Sequence, residues 1–229
     1  MNNKDVIIAL DFNDENKVFN LLDEFNKSIY VKVGMELFYH YGPNIVNRIK
    51  DMNHKVFLDL KLHDIPNTVK SAVKVINEMN IDILTVHCAG GIEMMKQAKE
   101  AANKNIKVVG VTQLTSSDQA MLENELLIKE DINKVIIEYA KNAKEAGLDG
   151  VICSPLEAQI IHEAVGSDFL CICPGIRYES GNDDQKRVTT PQQANQLTCD
   201  YIVVGRPISQ ADNQKEMYDK IKRDFKGEL

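Results

Sequence analysis

Short apolar runs alternate along the chain with longer amphipathic segments, and this pair recurs eight times. The apolar runs, which are rich in Val, Ile and Leu, lie near residues 6–10, 29–33, 55–60, 82–87, 106–111, 149–152, 168–172 and 200–204. Segments with helical spacing of their apolar positions lie near residues 15–26, 36–51, 66–79, 91–103, 131–146, 155–165, 191–197 and 212–225. The short runs predict buried strands, and the longer segments predict helices that pack against them.

Strands that alternate with helices predict a parallel sheet of the α/β class, with the helices outside it. Eight such units within 229 residues favour a closed (β/α)8 barrel, the TIM barrel, over an open sheet. An open doubly wound sheet usually has a glycine-rich turn after its first strand, whereas residues 10–14 contain no glycine. No linker or low-complexity segment interrupts the pattern, so we expect residues 1–229 to form a single domain.

Two connections are longer than such a barrel requires. They comprise residues 112–129, after the fifth predicted strand, and residues 174–191, after the seventh. Long loops in compact domains are often lids or ligand-binding segments. Because (β/α)8 enzymes build their active sites from the loops that follow the strands, we expect both loops to border a binding site.

The composition narrows the range of partners and compartments. A net charge of −7 and a pI near 5.3 argue against nucleic acid or an anionic membrane surface as the main partner. The run near residues 6–10 is too short for a signal-peptide core, and no segment approaches the about 20 apolar residues that span a bilayer. Five cysteines, mostly in strand-like runs, are expected to be buried reduced thiols without a metal. We therefore expect a cytoplasmic protein.

Four charged side chains are expected to meet inside the barrel. Successive side chains of a strand face opposite ways, so Asp59 and Lys61 should project inward from the end of the third strand. The same alternation directs Asp11 of the first strand and Lys32 of the second strand to that end. One interpretation is a purely structural ion-pair network, because buried charges require partners. Their position at the catalytic end of a barrel favours a functional interpretation.

The chemistry of this array depends mainly on Lys61. A lysine beside carboxylates is held in its cationic form, whereas a Schiff-base lysine must be neutral. Lys61 is therefore predicted to be a proton donor or an electrostatic anchor. A fixed ammonium can stabilise negative charge that develops in a reaction and can then protonate a carbanion.

A second set of residues suggests an anion site. Gly205 and Arg206 follow the eighth predicted strand, where barrels often bind phosphate. Arg177 follows the turn at Pro174, and Gln185 lies further along the same long loop. Backbone amides at a glycine and a bidentate guanidinium suit a phosphate group. A helix cap with a surface arginine, and a simple Pro-Gly turn, are the alternatives.

In these motifs and their order, the chain resembles the orotidine 5′-monophosphate decarboxylase family in its compact bacterial form. The resemblance covers nearly the whole chain and rests on Ala9-Leu10-Asp11, Val31-Lys32-Val33-Gly34, the stretch from Asp59 to Thr68, Gln113-Leu114-Thr115-Ser116, Pro174-Gly175-Ile176-Arg177, Asp184-Gln185 and Val203-Val204-Gly205-Arg206. It implies a carbon–carbon lyase that converts orotidine 5′-monophosphate to uridine 5′-monophosphate and CO2 in pyrimidine biosynthesis. It also implies that no metal and no organic cofactor takes part.

The resemblance implies a role for each matching residue. Lys32, Asp59, Lys61 and Asp64 are the implied catalytic residues, and Lys61 is expected to protonate C6 of the pyrimidine. The implied substrate-binding residues are Asp11, Lys32, Asp59, Ile65, Thr68, Thr115, Ser116, Pro174, Arg177, Gln185, Gly205 and Arg206. The family works as a homodimer, so Asp64, Ile65 and Thr68 are expected to complete the active site of the neighbouring subunit.

Two other functions remain open on the sequence alone. A magnesium-dependent sugar-phosphate decarboxylase or synthase shares the Asp-x-Lys-x-x-Asp motif, but it needs a metal-binding acidic residue at the end of the second strand. That strand ends in Lys32, Val33 and Gly34, with Glu36 close by. A non-catalytic nucleotide-binding barrel is expected to have lost part of the charged array, which is complete here.

Overall fold

Eight parallel strands close into one barrel in the computed structural model, which describes residues 4–178 and 188–228. The strands are β1 (Asp5–Ala9), β2 (Tyr30–Gly34), β3 (Lys55–Leu62), β4 (Ile83–His87), β5 (Lys107–Val111), β6 (Gly150–Ile152), β7 (Leu170–Cys173) and β8 (Tyr201–Val204). They pair in chain order, and β8 closes the barrel by pairing with β1. The predicted (β/α)8 class and all eight predicted strands are thereby confirmed.

Helices cover the outside of the barrel. They are α1 (Glu15–Asp23), α2 (Met35–Tyr41), α3 (Pro43–Asp51), α4 (Pro66–Ile76), α5 (Gly91–Ala101), α6 (Gln119–Asn124), α7 (Ile132–Glu145), α8 (Pro155–Val165), α9 (Pro191–Gln196), α10 (Arg206–Ser209) and α11 (Gln214–Lys226). Short 3-10 turns follow α4 at Asn77–Met79 and β4 at Cys88–Gly90. Within the described residues, no helix is both long enough and apolar enough to cross a membrane.

Local sequence determines where several helices begin. The side chains of Asp14, Asp118, Asp131 and Asn213 each accept a hydrogen bond from a backbone amide in the first turn of the following helix. Ser154 with Glu157, and Thr190 with Gln193, form reciprocal capping boxes at α8 and α9. Such caps satisfy amides that have no partner inside the helix.

The structure differs from the predicted helices after β2, after β5 and after β8, where the four-residue α10 precedes the predicted last helix. The single helix expected over residues 36–51 is divided into α2 and α3, because Gly42 adopts a positive φ of 64° and Pro43 begins the second helix. The long loop after β5 contains the unpredicted α6. A helix of six residues is too short to show a hydrophobic period, although its cap Asp118 is visible in the sequence.

Two hydrophobic cores hold the barrel together. The larger core lies between the strands and the surrounding helices. The smaller core fills the barrel interior and consists of Ile7, Ala9, Tyr30, Phe57, Ile83, Val109, Ile172, Tyr201 and Val203. Within it the rings of Tyr30 and Tyr201 meet edge to face with centroids 5.5 Å apart. This inner core forms an apolar floor, so the space available for a ligand lies above it, at the carboxyl ends of the strands.

All five cysteines are buried and free, as the sequence predicted. The Sγ atoms of Cys153 and Cys173 lie 3.8 Å apart, which is a thiol contact and not a disulfide. Burial raises the pKa of Cys88 to about 12. That thiol is therefore protonated at neutral pH and behaves as an apolar core residue.

A partly buried ion pair lies at the opposite end of the barrel from the expected site. His162 of α8 places Nε2 3.3 Å from Oδ2 of Asp200, next to β8, and 3.1 Å from the Phe169 carbonyl oxygen. The hydrogen bond with Asp200 raises the pKa of His162 above its usual 6.5, although burial opposes the shift. Because the folded state binds this proton more tightly than the unfolded chain, the pair stabilises the fold while His162 is charged.

We expect the ion pair of His162 and Asp200 to contribute to the pH dependence of the free energy of unfolding. Its contribution should be complete below about pH 6.5 and should disappear as the pH rises through the raised pKa of His162. Urea unfolding between about pH 5.5 and pH 9 should therefore show a steeper loss of stability in the wild type than in His162→Gln. Parallel curves for the two proteins would show that His162 titrates alike in the folded and unfolded states.

Candidate active site

A cavity of about 850 Å³ opens at the carboxyl ends of the strands, above the apolar floor. Residues from β1, β2, β3, β5, β6 and β8, from α1, and from the segments after β1, β5, β7 and β8 line it. The sequence-predicted residues that line it are Asp11, Lys32, Asp59, Lys61, Thr115, Pro174, Arg177, Gly205 and Arg206. The position and lining of this cavity are those of a (β/α)8 enzyme site.

The charged side chains on one wall alternate in sign. Lys32 Nζ lies 3.0 Å from Asp11 Oδ1 and 3.6 Å from Asp59 Oδ2. Lys61 Nζ lies 2.9 Å from Asp59 Oδ1. Asp59 has 11% of its side chain exposed and therefore lies, little solvated, between two ammonium groups. We call Asp11, Lys32, Asp59 and Lys61 the charged array.

Glycine at the end of β2 leaves room for this array. A Cβ atom at Gly34 would lie 3.1 Å from Lys32 Nζ and 3.5 Å from an oxygen of Asp11. The first distance is shorter than an ordinary van der Waals contact, so a side chain would displace the ammonium or itself shift. A side chain at Gly34 would therefore shift the Lys32 ammonium by a few tenths of an ångström within the array.

The backbone at Lys61 departs from regular strand geometry. Lys61 has a φ of +50°, and the pairing of β3 with β4 shifts register between Leu58 and Leu62. Its amide donates to Thr85 Oγ1 at 2.8 Å, and that hydroxyl donates to Asp59 Oδ1 at 3.1 Å. Strict alternation along β3 predicted that Lys61 points inward, but it predicted neither the irregular backbone nor the contact with Thr85.

Two arginines and a glycine also line this cavity, and the glycine, Gly205, lies beside Ala9 and Asp11. Gly205 precedes α10, and Arg206 is the first residue of that helix. Arg177 lies in the segment after β7, where its backbone amide donates to the Thr189 carbonyl oxygen at 2.9 Å. The cavity thus combines the fixed mixed charge of the array with two guanidinium groups. The remaining expected ligand residue, Gln185, lies outside the described residues.

Four sequence-predicted site residues do not line the cavity of this chain: Asp64, Ile65, Thr68 and Ser116. All four are exposed. Asp64 Oδ1 accepts a hydrogen bond from the following amide at 2.7 Å, and Ile65 is 67% exposed although it is a large aliphatic residue. Within one chain, then, Asp64 is not joined to the charged array.

Several polar residues line the cavity without having been selected from the sequence. They are Lys17 and Asn20 on α1, Gln113 after β5, and Ser209, Gln210 and Gln214 after β8. Lys17 and Asn20 look like ordinary solvent-exposed positions of an amphipathic helix. Gln113 is buried and lies two residues before Thr115. Its position in the loop that carries this predicted ligand is the signal by which the sequence could have identified it.

His87, at the end of β4, is held beside the charged array. Its Nδ1 accepts a hydrogen bond from the Ala89 amide at 3.2 Å, and its ring stacks on His63 with centroids 5.2 Å apart. Burial lowers the pKa of His87, and the nearby His63 and Lys61 lower it further. His87 is therefore neutral at neutral pH, which suits a structural hydrogen-bonding role.

Potential metal ligands lie elsewhere in the molecule. Among the described residues, the side chains of His162, Cys171 and Asp200 bring ligand atoms within 4.8 Å of one another. None of the three lines the cavity, and they already interact with protein atoms, as when Asp200 Oδ2 accepts the Cys171 amide at 2.8 Å. Glu36, the acidic residue nearest the end of β2, is exposed and does not line the cavity.

Comparison with known proteins gives a consistent result. The orotidine 5′-phosphate decarboxylase / HUMPS family matches residues 4–221. An orotidine 5′-phosphate decarboxylase of Staphylococcus aureus strain Mu3 is 51% identical over 223 residues, which cover 96% of this chain and 97% of that protein. The enzyme of the same name from Staphylococcus saprophyticus is 49% identical over 225 residues, covering 96% of this chain and 98% of its own.

A solved structure extends the comparison to the fold. The crystal structure of orotidine 5′-phosphate decarboxylase from Lactobacillus acidophilus aligns with a TM-score of 0.87 and 39% sequence identity. The alignment covers 96% of this chain and 98% of that one. With a family match over almost the whole chain, and relatives about half identical along its length, the chain belongs to the orotidine 5′-phosphate decarboxylase / HUMPS family.

Proposed function

We propose that this protein decarboxylates orotidine 5′-monophosphate to uridine 5′-monophosphate and CO2, a carboxy-lyase step of pyrimidine biosynthesis. The observation that carries the proposal is the charged array, in which Asp59 lies between Lys32 and Lys61 in the wall of the cavity. The two arginines in the same cavity suit the substrate's 5′-phosphate. The relatives that are about half identical to this chain along its length are orotidine 5′-phosphate decarboxylases, which favours this reaction over other uses of such a site.

The reaction needs a group that stabilises and then protonates a carbanion. When the bond between C6 and the carboxyl carbon breaks, CO2 leaves and the electron pair remains on C6. The Lys61 ammonium stabilises this charge and donates a proton to C6, and the amine then regains a proton from water. Asp59 holds the ammonium in place before the reaction, so little reorganisation is needed as the charge develops.

Other cavity residues bind the unreactive parts of the substrate. Asp11 and Lys32 suit the ribose, and Thr115 with Ser116 and Pro174 suits the pyrimidine. Arg177, Gln185, Gly205 and Arg206 suit the 5′-phosphate. Binding energy from the phosphate, which is remote from C6, can then organise the site for the transition state.

We infer that the protein acts as a homodimer, in which Asp64, Ile65 and Thr68 complete the neighbouring subunit's site. The exposure of Ile65, Met35 and Tyr39 supports this arrangement, since large apolar side chains at a surface favour burial against a partner. The reaction proposed here requires neither metal nor organic cofactor. Five free thiols within what we propose is a single domain, residues 1–229, suit the reducing cytoplasm.

The first experiment is an assay with orotidine 5′-monophosphate in buffer that contains EDTA. We expect loss of the pyrimidine's ultraviolet absorbance together with release of CO2, since the charges at the reacting end belong to protein side chains. Activity that EDTA abolished and magnesium restored would favour the metal-dependent sugar-phosphate relatives. Binding of uridine 5′-monophosphate without turnover of the substrate would favour a non-catalytic barrel.

Removal of the proposed proton donor tests the mechanism. Lys61→Ala should fold but lose more than about 10³-fold in kcat, because it removes both the acid and the charge that stabilises the carbanion. Lys55→Ala is a matched control, since Lys55 is the exposed first residue of the same strand. It should retain wild-type kcat. A Lys61→Ala enzyme with nearly normal turnover would exclude Lys61 from this role.

Removal of a phosphate ligand should affect substrates that carry the phosphate. Arg206→Ala should lower kcat/KM for orotidine 5′-monophosphate by about 10- to 150-fold, the equivalent of one charge-assisted hydrogen bond. It should leave the slow reaction of orotidine, which lacks the phosphate, unchanged. Arg223→Ala on the exposed face of α11 serves as the control. Equal losses for both substrates would mean that Arg206 does not bind the phosphate.

A further inference from the structure

The pairing of β3 with β4 contains an irregularity directly beneath the reacting lysine. Leu58 pairs with Leu84 and Leu62 pairs with Val86, so three residues of β3 face a single residue of β4, Thr85. Extra residues in one strand leave some of its backbone groups without ladder partners. At this bulge the Lys61 amide donates to the Thr85 side chain.

Thr85 connects this backbone to the charged array. Its Oγ1 accepts the Lys61 amide at 2.8 Å and donates to Asp59 Oδ1 at 3.1 Å. The same Asp59 oxygen accepts the Lys61 ammonium at 2.9 Å. The contacts form a closed loop that runs from the Lys61 backbone through the hydroxyl and the carboxylate to the Lys61 side chain. One hydroxyl group thus restrains both the backbone of the lysine and the partner of its ammonium.

The restraint acts on a backbone that lysine rarely adopts. A φ of +50° places Lys61 in the left-handed region, which a residue with a Cβ occupies only when its surroundings hold it there. Thr85 is completely buried and is not among the residues that line the cavity, so its hydroxyl is shielded from bulk solvent. Its neighbours on the inward face, Ile83 and Val109, offer no polar group that could replace it.

We propose that Thr85 is a positioning residue for the decarboxylation, and that its hydroxyl fixes the Lys61 ammonium relative to C6 of the substrate. This inference rests on the proposed function. Without the hydroxyl, the Lys61 amide loses its acceptor and Asp59 Oδ1 loses one of its hydrogen-bond donors. The irregular backbone of β3 at Lys61 can then relax. Proton transfer is sensitive to displacements of about 1 Å, whereas binding of the phosphate and ribose depends on other residues.

The test compares Thr85→Val, which keeps the shape of the side chain, with Thr85→Ser, which keeps the hydroxyl. We expect Thr85→Val to lower kcat by about 100-fold, with KM and the Kd for uridine 5′-monophosphate changed less than about threefold. Thr85→Ser should recover kcat to within about fivefold of the wild type. Thr112→Val is the matched control, because Thr112 is equally buried and its hydroxyl donates to the Ile152 carbonyl oxygen at 3.1 Å. It should keep kcat within about threefold.

Each other outcome has a definite meaning. Nearly normal kcat in Thr85→Val overturns the proposal, and so does a loss that Thr85→Ser shares or Thr112→Val reproduces. If Thr85→Val does not fold, Thr85→Ala is judged by the same criteria. If the wild type fails to decarboxylate the substrate, the proposed function fails first. In that case, crystal structures of the wild type and Thr85→Val test whether the Thr85 hydroxyl positions the Lys61 ammonium. The proposal requires that the hydrogen bond between Lys61 and Asp59 be broken in the variant.

Discussion

A carboxylate held between two ammonium groups is the interaction on which the rest of this site depends. Asp59 is too little exposed to be solvated well, and a buried charge is tolerated only with close partners. Lys32 from β2 and Lys61 from β3 provide them, and Asp11, two residues after the end of β1, balances Lys32. The register of three adjacent strands therefore determines the distances among these groups, so the closed barrel that sets this register also sets the geometry of the charged array.

In the barrel interior, the residues that stabilise the fold lie below the residues that form the site. Apolar and aromatic side chains fill the lower part, where Tyr30, Phe57 and Tyr201 are buried against one another. Polar side chains begin one layer higher, with Thr85 and Asp59. A rigid floor beneath a polar layer restricts the movement of the charged groups, and fixed groups stabilise developing charge better than groups that must reorient.

The sequence predicted the features that follow from periodicity and missed those that follow from tertiary contact. Alternation of apolar and polar positions was sufficient for the eight strands and for the inward direction of Asp59. It could not predict the positive φ of Lys61, because that conformation is imposed by the pairing of β3 with β4. Thr85 looked like one threonine in an apolar strand, and only the bulge opposite it gives its hydroxyl two partners. Gly42 divides a predicted helix because its φ is positive, which a hydrophobic pattern does not record.

The closed apolar floor limits the routes by which substrate can enter and products can leave the site. Among the residues that the structure describes, Tyr30 and Tyr201 pack against each other within the inner core and close the barrel axis to a ligand. Substrate entry, escape of the small gaseous product and departure of the nucleotide must then share the opening at the carboxyl ends of the strands. Arg177 and Arg206, the proposed phosphate ligands, line the cavity behind that opening, so a nucleotide anchored by them would also obstruct the exit. Release of CO2 past a still-bound nucleotide, and not through a separate channel, is the order of events that this architecture favours.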